Sequence, residues 1–325
     1  TVAEVDGNLR FVPDTDNMVT TAVQAAENIR SPSKDSCLDC HTKAGGGDNF
    51  KRGDIEEEHR DPSPDFDVHM ASVAKGGAGL TCLDCHTAAD HRIAGRGSDL
   101  RPRELPDEVA CTNCHETRPH GNGNIDRHTA RVNCTVCHIP SFAQEEATDM
   151  VRDWSEIHYS EEKGKYVYKG KFETDVVPVY AWFDGTSRIQ LPRQAVAKDA
   201  DGNVMMAVPQ GSRDDLDARI HPFKVHRARL PVLEGKGWLL PITVDELYAP
   251  GDVDRAVKEA AETMYDIHDA DFVWVDTVRY MSIAHEVRPA EDALRCLDCH
   301  GPDGRLDWAA LGYDRDPLAT ALSPS

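Results

Sequence analysis

Five copies of one short pattern constrain this 325-residue chain more than any other feature. They are Cys37-Leu38-Asp39-Cys40-His41, Cys82-Leu83-Asp84-Cys85-His86, Cys111-Thr112-Asn113-Cys114-His115, Cys134-Thr135-Val136-Cys137-His138 and Cys296-Leu297-Asp298-Cys299-His300, and they use all ten cysteines. A zinc ribbon needs paired C-x-x-C units but has no reason to place histidine after each second cysteine, and a thioredoxin-like site needs one pair only. Histidine fills 15 of 325 positions. Five such successes by chance have a probability on the order of one in a million or less, whereas C-x-x-C-H is the attachment signature of covalent c-type haem. Five haem groups, each with its iron, are therefore expected.

The spacing follows from the chemistry. Each cysteine thiol adds to a haem vinyl group, two intervening residues set the sulfurs apart, and the adjacent histidine turns its imidazole under the iron. Cys37, Cys40, Cys82, Cys85, Cys111, Cys114, Cys134, Cys137, Cys296 and Cys299 are thus attachment residues, and His41, His86, His115, His138 and His300 are proximal ligands. No thiol is left for a disulfide once every motif is filled.

Haem attachment through thioethers takes place outside the bacterial cytoplasm, so a periplasmic or extracellular location is expected. The chain begins TVAEVDGNLR, with neither a basic nor an apolar leader segment, and reads as the mature form after signal removal. No apolar run approaches the eighteen or so residues of a membrane span. The net charge of −21 argues against nucleic acid and anionic membranes as partners, and favours redox proteins with basic surfaces.

Residues 1–150 hold four motifs and only four aromatic residues, Phe11, Phe50, Phe66 and Phe142. In that region porphyrins must supply the bulk that aromatic side chains supply elsewhere. Residues 151–285 carry most of the aromatic residues and are expected to contribute distal ligands, and residues 286–325 bring the fifth motif back onto the core. The intervals between the first four motifs (45, 29 and 23 residues) exclude a fixed repeat. The expected fold is a multihaem cytochrome c of loops and short α-helices wrapped around five haems, with a few short β-strands.

"KYVYKGKFETDVVPVYAWF" has the content of one or two strands broken at Pro178. A helix is readable at 253–265, capped by Asp252, with Val253, Val257, Ala260, Ala261 and Met264 on one apolar face. Residues 272–285 read as a second helix leading into the last motif. The run Glu56-Glu57-Glu58 reads as a solvated surface.

Ten histidines lie outside the motifs, and low-spin electron-transfer iron takes a second strong ligand, so about half of them should be distal ligands. At this point the chain resembles the octahaem tetrathionate reductase family over most of its length. The resemblance is carried by "CLDCHTKAGGGDNFKRGDIEEE", "DVHM", "VNCTVCHIPSFAQEEATDMVRDWS", "VVPVYAWFDG", "PFKVHRARLPV" and "SIAHEVRPAEDALRCLDCHGPDGRLDWAALGYDRDP". In that family one iron is bound by a lysine from a glycine-rich segment just after its attachment motif, with an aspartate three residues earlier. The resemblance implies these roles for Lys51 and Asp48, as catalytic residues of the first haem, and implies distal ligation by His69, His91, His120, His128, His226 and His285. That is six histidines where four would suffice.

The chain departs from the family in having five motifs rather than eight and no cysteine outside them. The missing cysteine weakens the case for sulfur chemistry, while reduction of small nitrogen oxyanions would not require it. Three functions follow as expectations. The first is an electron carrier of the periplasm or of extracellular electron transfer. The second is an oxidoreductase acting on nitrite, hydroxylamine or tetrathionate at the Lys51 haem. The third is a homo-oligomer or filament in which a surplus histidine ligates a haem of a neighbouring copy. A pyridine haemochrome assay with intact mass should give five haems per chain; fewer haems, or zinc in their place, would contradict the motif reading.

Overall fold

The structure is a computed structural model and describes residues 2–12, 14–89, 92, 93, 95 and 109–322. It opens on a hairpin of β1 (Val2–Val5) and β2 (Asn8–Phe11), followed by α1 (Ala22–Glu27). The motifs then appear as single helical turns. The first ends α2 (Lys34–His41), the second forms α3 (Cys82–Cys85), the third is a 3-10 turn at Cys111–Asn113, the fourth is α5 (Cys134–His138) and the fifth is α8 (Cys296–Cys299). A two-residue pair, β3 (Ala88–Ala89) with β4 (Arg92–Ile93), and the short helix α4 (Gly123–Asp126) lie between them.

Turns this short need side-chain caps. In two of the three C-L-D-C motifs (Asp39 of the first pairs instead with Arg60) the aspartate supplies one: Asp84 accepts from the Thr81 N–H at 2.6 Å, and Asp298 from the Arg295 N–H at 2.7 Å. In the fourth motif Asn133 does so, accepting from the Thr135 N–H at 3.0 Å. The residues between the cysteines therefore stabilise the turn that aims the thiols.

The other half of the molecule is a seven-stranded mixed sheet in the order β6-β5-β10-β11-β9-β8, with β7 paired to β10. Its strands are β5 (Thr148–Ser160), β6 (Lys165–Glu173), β7 (Val179–Phe183), β8 (Ser187–Ile189), β9 (Val204–Pro209), β10 (Arg219–Leu233) and β11 (Phe272–Ser282). β10 lies at the centre, parallel to β5 and antiparallel to β7 and β11. This corrects the expectation of mainly loops and helices with a few short strands, because β10 alone runs for fifteen residues. The strands at 165–183 are present, interrupted around Pro178.

The expected helix at 272–285 is instead strand β11. Val273, Val275, Thr277 and Val278 lose rotamer freedom in a helix but pack well on a pleated surface, and pairing with β10 and β9 settles the choice. The helix at 253–265 forms as α7 (Val253–Tyr265), after the short α6 (Val244–Tyr248), and Asp252 caps it through the Arg255 N–H at 3.0 Å. Ala256, Val257, Ala260 and Ala261 are buried on its inner face, but Met264 is 60% exposed, one step past the end of the packed stripe. α9 (Pro317–Leu322) closes the described chain.

The cores mix distant segments. Val136 of the fourth motif packs with Tyr180 and Trp182 of β7, Ile220 of β10, and Leu306 and Leu311 beyond the fifth motif. Trp182 donates its ring N–H to the Leu311 carbonyl at 2.9 Å and lies under the Arg131 guanidinium at 4.5 Å. Replacing Trp182 with alanine should cost about 3–5 kcal/mol in denaturant unfolding. Trp182→Phe, which keeps the ring and loses the hydrogen bond, should cost clearly less.

Candidate haem-ligating site

Successive motifs are placed side by side. Burial first, then the neighbouring Cys37, pushes the Cys82 thiol up to about 11. Cys111 and Cys134 likewise influence one another, Cys134 raising the Cys111 thiol and Cys111 lowering the Cys134 thiol to about 6. Burial, then Cys114, raises the Cys85 thiol, and burial, then Cys299, pushes Cys137 up to about 12. Cysteines of successive motifs thus lie near enough to influence one another electrostatically, from the first motif to the fifth.

The histidines behind the motifs come in pairs. Ring centroids are 6.0 Å apart for His69 and His115, 6.1 Å for His86 and His285, 6.2 Å for His120 and His138, and 6.2 Å for His128 and His300. A metal–imidazole bond is about 2.0–2.1 Å long, so two rings that share one metal through Nε2 have centroids about 6.3 Å apart. Each pair contains one motif histidine and one from elsewhere, at a separation that would let both imidazoles bind one iron.

Second partners orient four of these rings. His120 Nδ1 lies 3.0 Å from Asp126, His128 Nδ1 2.9 Å from the Asn124 carbonyl, His285 Nδ1 3.1 Å from Asp54, and His300 Nδ1 2.7 Å from Asp316. A ring whose Nδ1–H is engaged presents Nε2 to a metal and is a stronger donor for it. The residues therefore fit haem: cysteine pairs for attachment, and imidazoles with Nε2 available on both sides of the iron.

Two buried carboxylates hold the distal segments. Asp54 accepts from the Ala284 and His285 N–H groups at 2.9 and 3.2 Å and pairs with Arg52 at 3.1 Å. Burial opposes its charge, but Arg52 and His285 more than offset this and hold the carboxyl well below the usual range. Asp67 accepts from the His69 and Met70 N–H groups with one oxygen and from the Glu286 and Val287 N–H groups with the other, at 2.9–3.3 Å. One carboxylate thereby ties the backbones of two ligand loops, and Glu286 is held at φ +66°.

Lys51 is half-buried at the end of the glycine-rich loop that follows the first motif. Gly45 has φ +93°, and a Cβ there would come within 3.1 Å of Lys51 Cβ. Asp48 accepts from the Glu57 N–H at 3.1 Å, and burial raises its carboxyl. His226 stands, among the described residues, in none of the histidine pairs. Its Nε2 lies 3.9 Å from Asp149, and burial first, then Lys224, pushes its imidazole down to about 3. His91 lies outside the described residues.

Sequence reasoning missed several groups. Glu56 is fully buried rather than solvated, accepting from the Glu145 and Glu146 N–H groups, and burial pushes it up to about 7. Glu286 is buried beside it and raised by the same cause. His59 is buried against Phe66 and the His285 ring, and burial pushes it down to about 4. No periodic pattern marks these residues, which lie in irregular segments and acquire their burial only from long-range packing.

Comparison with known proteins agrees with this geometry. The family described as "Cytochrome c bacterial" matches residues 140–303, and "Cytochrome c7 and related cytochrome c" matches residues 63–139. Among solved structures, octaheme cytochrome c from Shewanella oneidensis is 31% identical with a TM-score of 0.77, the match covering 94% of this chain and 72% of that one. No curated protein matches the chain. Extended similarity to a multihaem structure, together with attachment motifs throughout, places the chain among the multihaem c-type cytochromes, the haem-iron proteins of electron transport.

Proposed function

We propose that the chain carries five haems and conducts electrons along them between partner proteins in the periplasm or outside the cell. The observation that carries this reading is the set of four histidine pairs at 6.0–6.2 Å, each joining a motif histidine to a distal one. Bound haem iron supplies reversible one-electron exchange, with bis-imidazole ligation favouring the ferric form and low potential. At four of the motifs the protein's residues would hold the iron with an imidazole from each of two segments, and cysteines of successive motifs lie near one another. His69, His120, His128 and His285 are the distal ligands in this reading, and among the described candidates His226 is the surplus.

A second reading is favoured by a specific observation at the first motif. Among the described residues no histidine ring pairs with His41, and the loop carrying Lys51 and Asp48 follows it directly. With the Lys51 amine as sixth ligand, that iron alone would accept a displacing substrate, and Asp48 would stand three residues from the displaced amine. A small nitrogen oxyanion fits such a site better than tetrathionate, because the chain has no cysteine outside its motifs. The net charge of −21 supports basic redox partners, and the surplus histidine supports ligation across a contact between copies.

His285→Ala and His120→Ala should each convert one haem from low to high spin in the paramagnetic resonance of the oxidised protein, while His226→Ala should leave every signal in place. Loss of a low-spin signal on His226→Ala would break the pairing. Lys51→Ala should open one iron to cyanide or nitrite, followed by absorbance. If all five irons resist these ligands and the Lys51→Ala spectrum matches the parent, the reductase reading loses its site.

A further inference from the structure

The loop that carries Lys51 is gripped from the sheet by one buried lysine. Lys224 lies on β10, is fully buried, and points its Nζ at three acceptors: the Phe50 carbonyl at 2.9 Å, the Lys51 carbonyl at 3.1 Å and the Thr148 hydroxyl at 2.5 Å. Burial pushes this amine down to about 7, and in its ammonium form it has three N–H donors, all of them then engaged. Thr148 then donates its own hydrogen to the Asn49 carbonyl at 2.7 Å. Three consecutive carbonyls, 49 to 51, are thus collected by two side chains of the sheet.

The grip is anchored on both sides. Asn49, at φ +58°, donates its side-chain N–H to the Glu146 carbonyl at 2.9 Å. Arg152 holds the other end of the loop through the Gly45 carbonyl at 3.2 Å, and is fixed by Asp149, which also accepts from the Tyr168 hydroxyl at 2.9 Å. Packing leaves no slack, since a Cβ on Gly53 would meet the Lys224 chain at 3.1 Å and the Phe142 ring at 2.9 Å. Full burial of a lysine is rare and opposed by desolvation, and an apolar side chain would fill the same space without that cost.

We propose that Lys224, relayed by Thr148, is the positioning residue of the lysine ligand, fixing the main chain at residues 49–51 so that the Lys51 amine is held at the first iron and leaves it by a side-chain swing alone. The inference rests on the reading of Lys51 as a ligand. A tethered amine competes for the metal in proportion to its effective concentration there, and that concentration falls when the loop bearing it loosens. The grip therefore sets how readily a small ligand displaces the amine, without touching iron or substrate.

The test uses the full haem-loaded protein. Lys51→Ala first identifies the low-spin resonance signal that belongs to the lysine-ligated iron. Lys224→Met keeps length and removes the donors, Thr148→Val keeps shape and removes the relay, and Thr148→Ser restores the hydroxyl. In Lys224→Met and Thr148→Val the signal assigned to Lys51 should shrink and cyanide should bind that iron on the order of tenfold more tightly, the expected scale for loss of one to two buried hydrogen bonds. Thr148→Ser should match the parent, and the four histidine-pair signals should be unchanged in every variant. Parental signal and cyanide affinity in both Lys224→Met and Thr148→Val would overturn the proposal while leaving Lys51 as ligand. Loss of all five low-spin signals together would also overturn it, by making Lys224 a general structural residue. An unaltered spectrum in Lys51→Ala would remove the ligand reading itself, and this inference with it.

Discussion

Two imidazoles brought to about 6 Å, in three of four cases with at least one second nitrogen anchored, form the interaction on which the rest of this structure depends. In four places a motif histidine on a single helical turn meets a histidine delivered by a different stretch of chain. His285 travels furthest to reach His86. It does so because β11 ends at Ser282, Ile283 enters the core beside Phe142, and the next residues are caught by Asp54 and Asp67. The sheet thus serves the motifs: its central strands fix where the segment carrying His285 begins, and two buried carboxylates fix where its ring points. Asp67 extends the same logic by binding the His69 segment and the His285 segment with its two oxygens.

The first motif differs from the other four in kind. Its loop is held by main-chain contacts to Lys224, Thr148 and Arg152 rather than by an anchored imidazole. A conductor requires that each iron keep both ligands through oxidation and reduction. A reducing site requires that one iron release a ligand. The four histidine pairs meet the first requirement, and the clamped loop bearing Lys51 is the place where the second is met under the proposed function. The succession of neighbouring motifs, from Cys37 and Cys82 through to Cys137 and Cys299, would then feed electrons toward or away from that loop.

What the sequence disclosed follows from how local each signal is. The attachment motifs are contiguous and chemically specific, and the α7 helix declares itself through Asp252 and an apolar stripe, so both were readable. β11 was misread because a run such as FVWVDTVRYMS is compatible with either period until its neighbours are known, and those neighbours, β10 and β9, lie far away in sequence. The ligand histidines were narrowed to six by resemblance, but nothing local separates His285, whose Nδ1 meets Asp54, from His226, whose Nε2 faces Asp149. Lys224 and Asp67 were invisible for a related reason: a buried charge is read from sequence as a surface residue until the partners that satisfy it are in place.

Anomalous diffraction at the iron absorption edge, on crystals of the haem-loaded protein, tests the central claim most directly by locating each iron relative to the imidazoles. The account places one iron midway between the rings of each of the pairs His69–His115, His86–His285, His120–His138 and His128–His300, and a fifth between His41 and the Lys51 amine. An iron ligated by His226 or His59, or any of the four pairs closing on empty space, would contradict it.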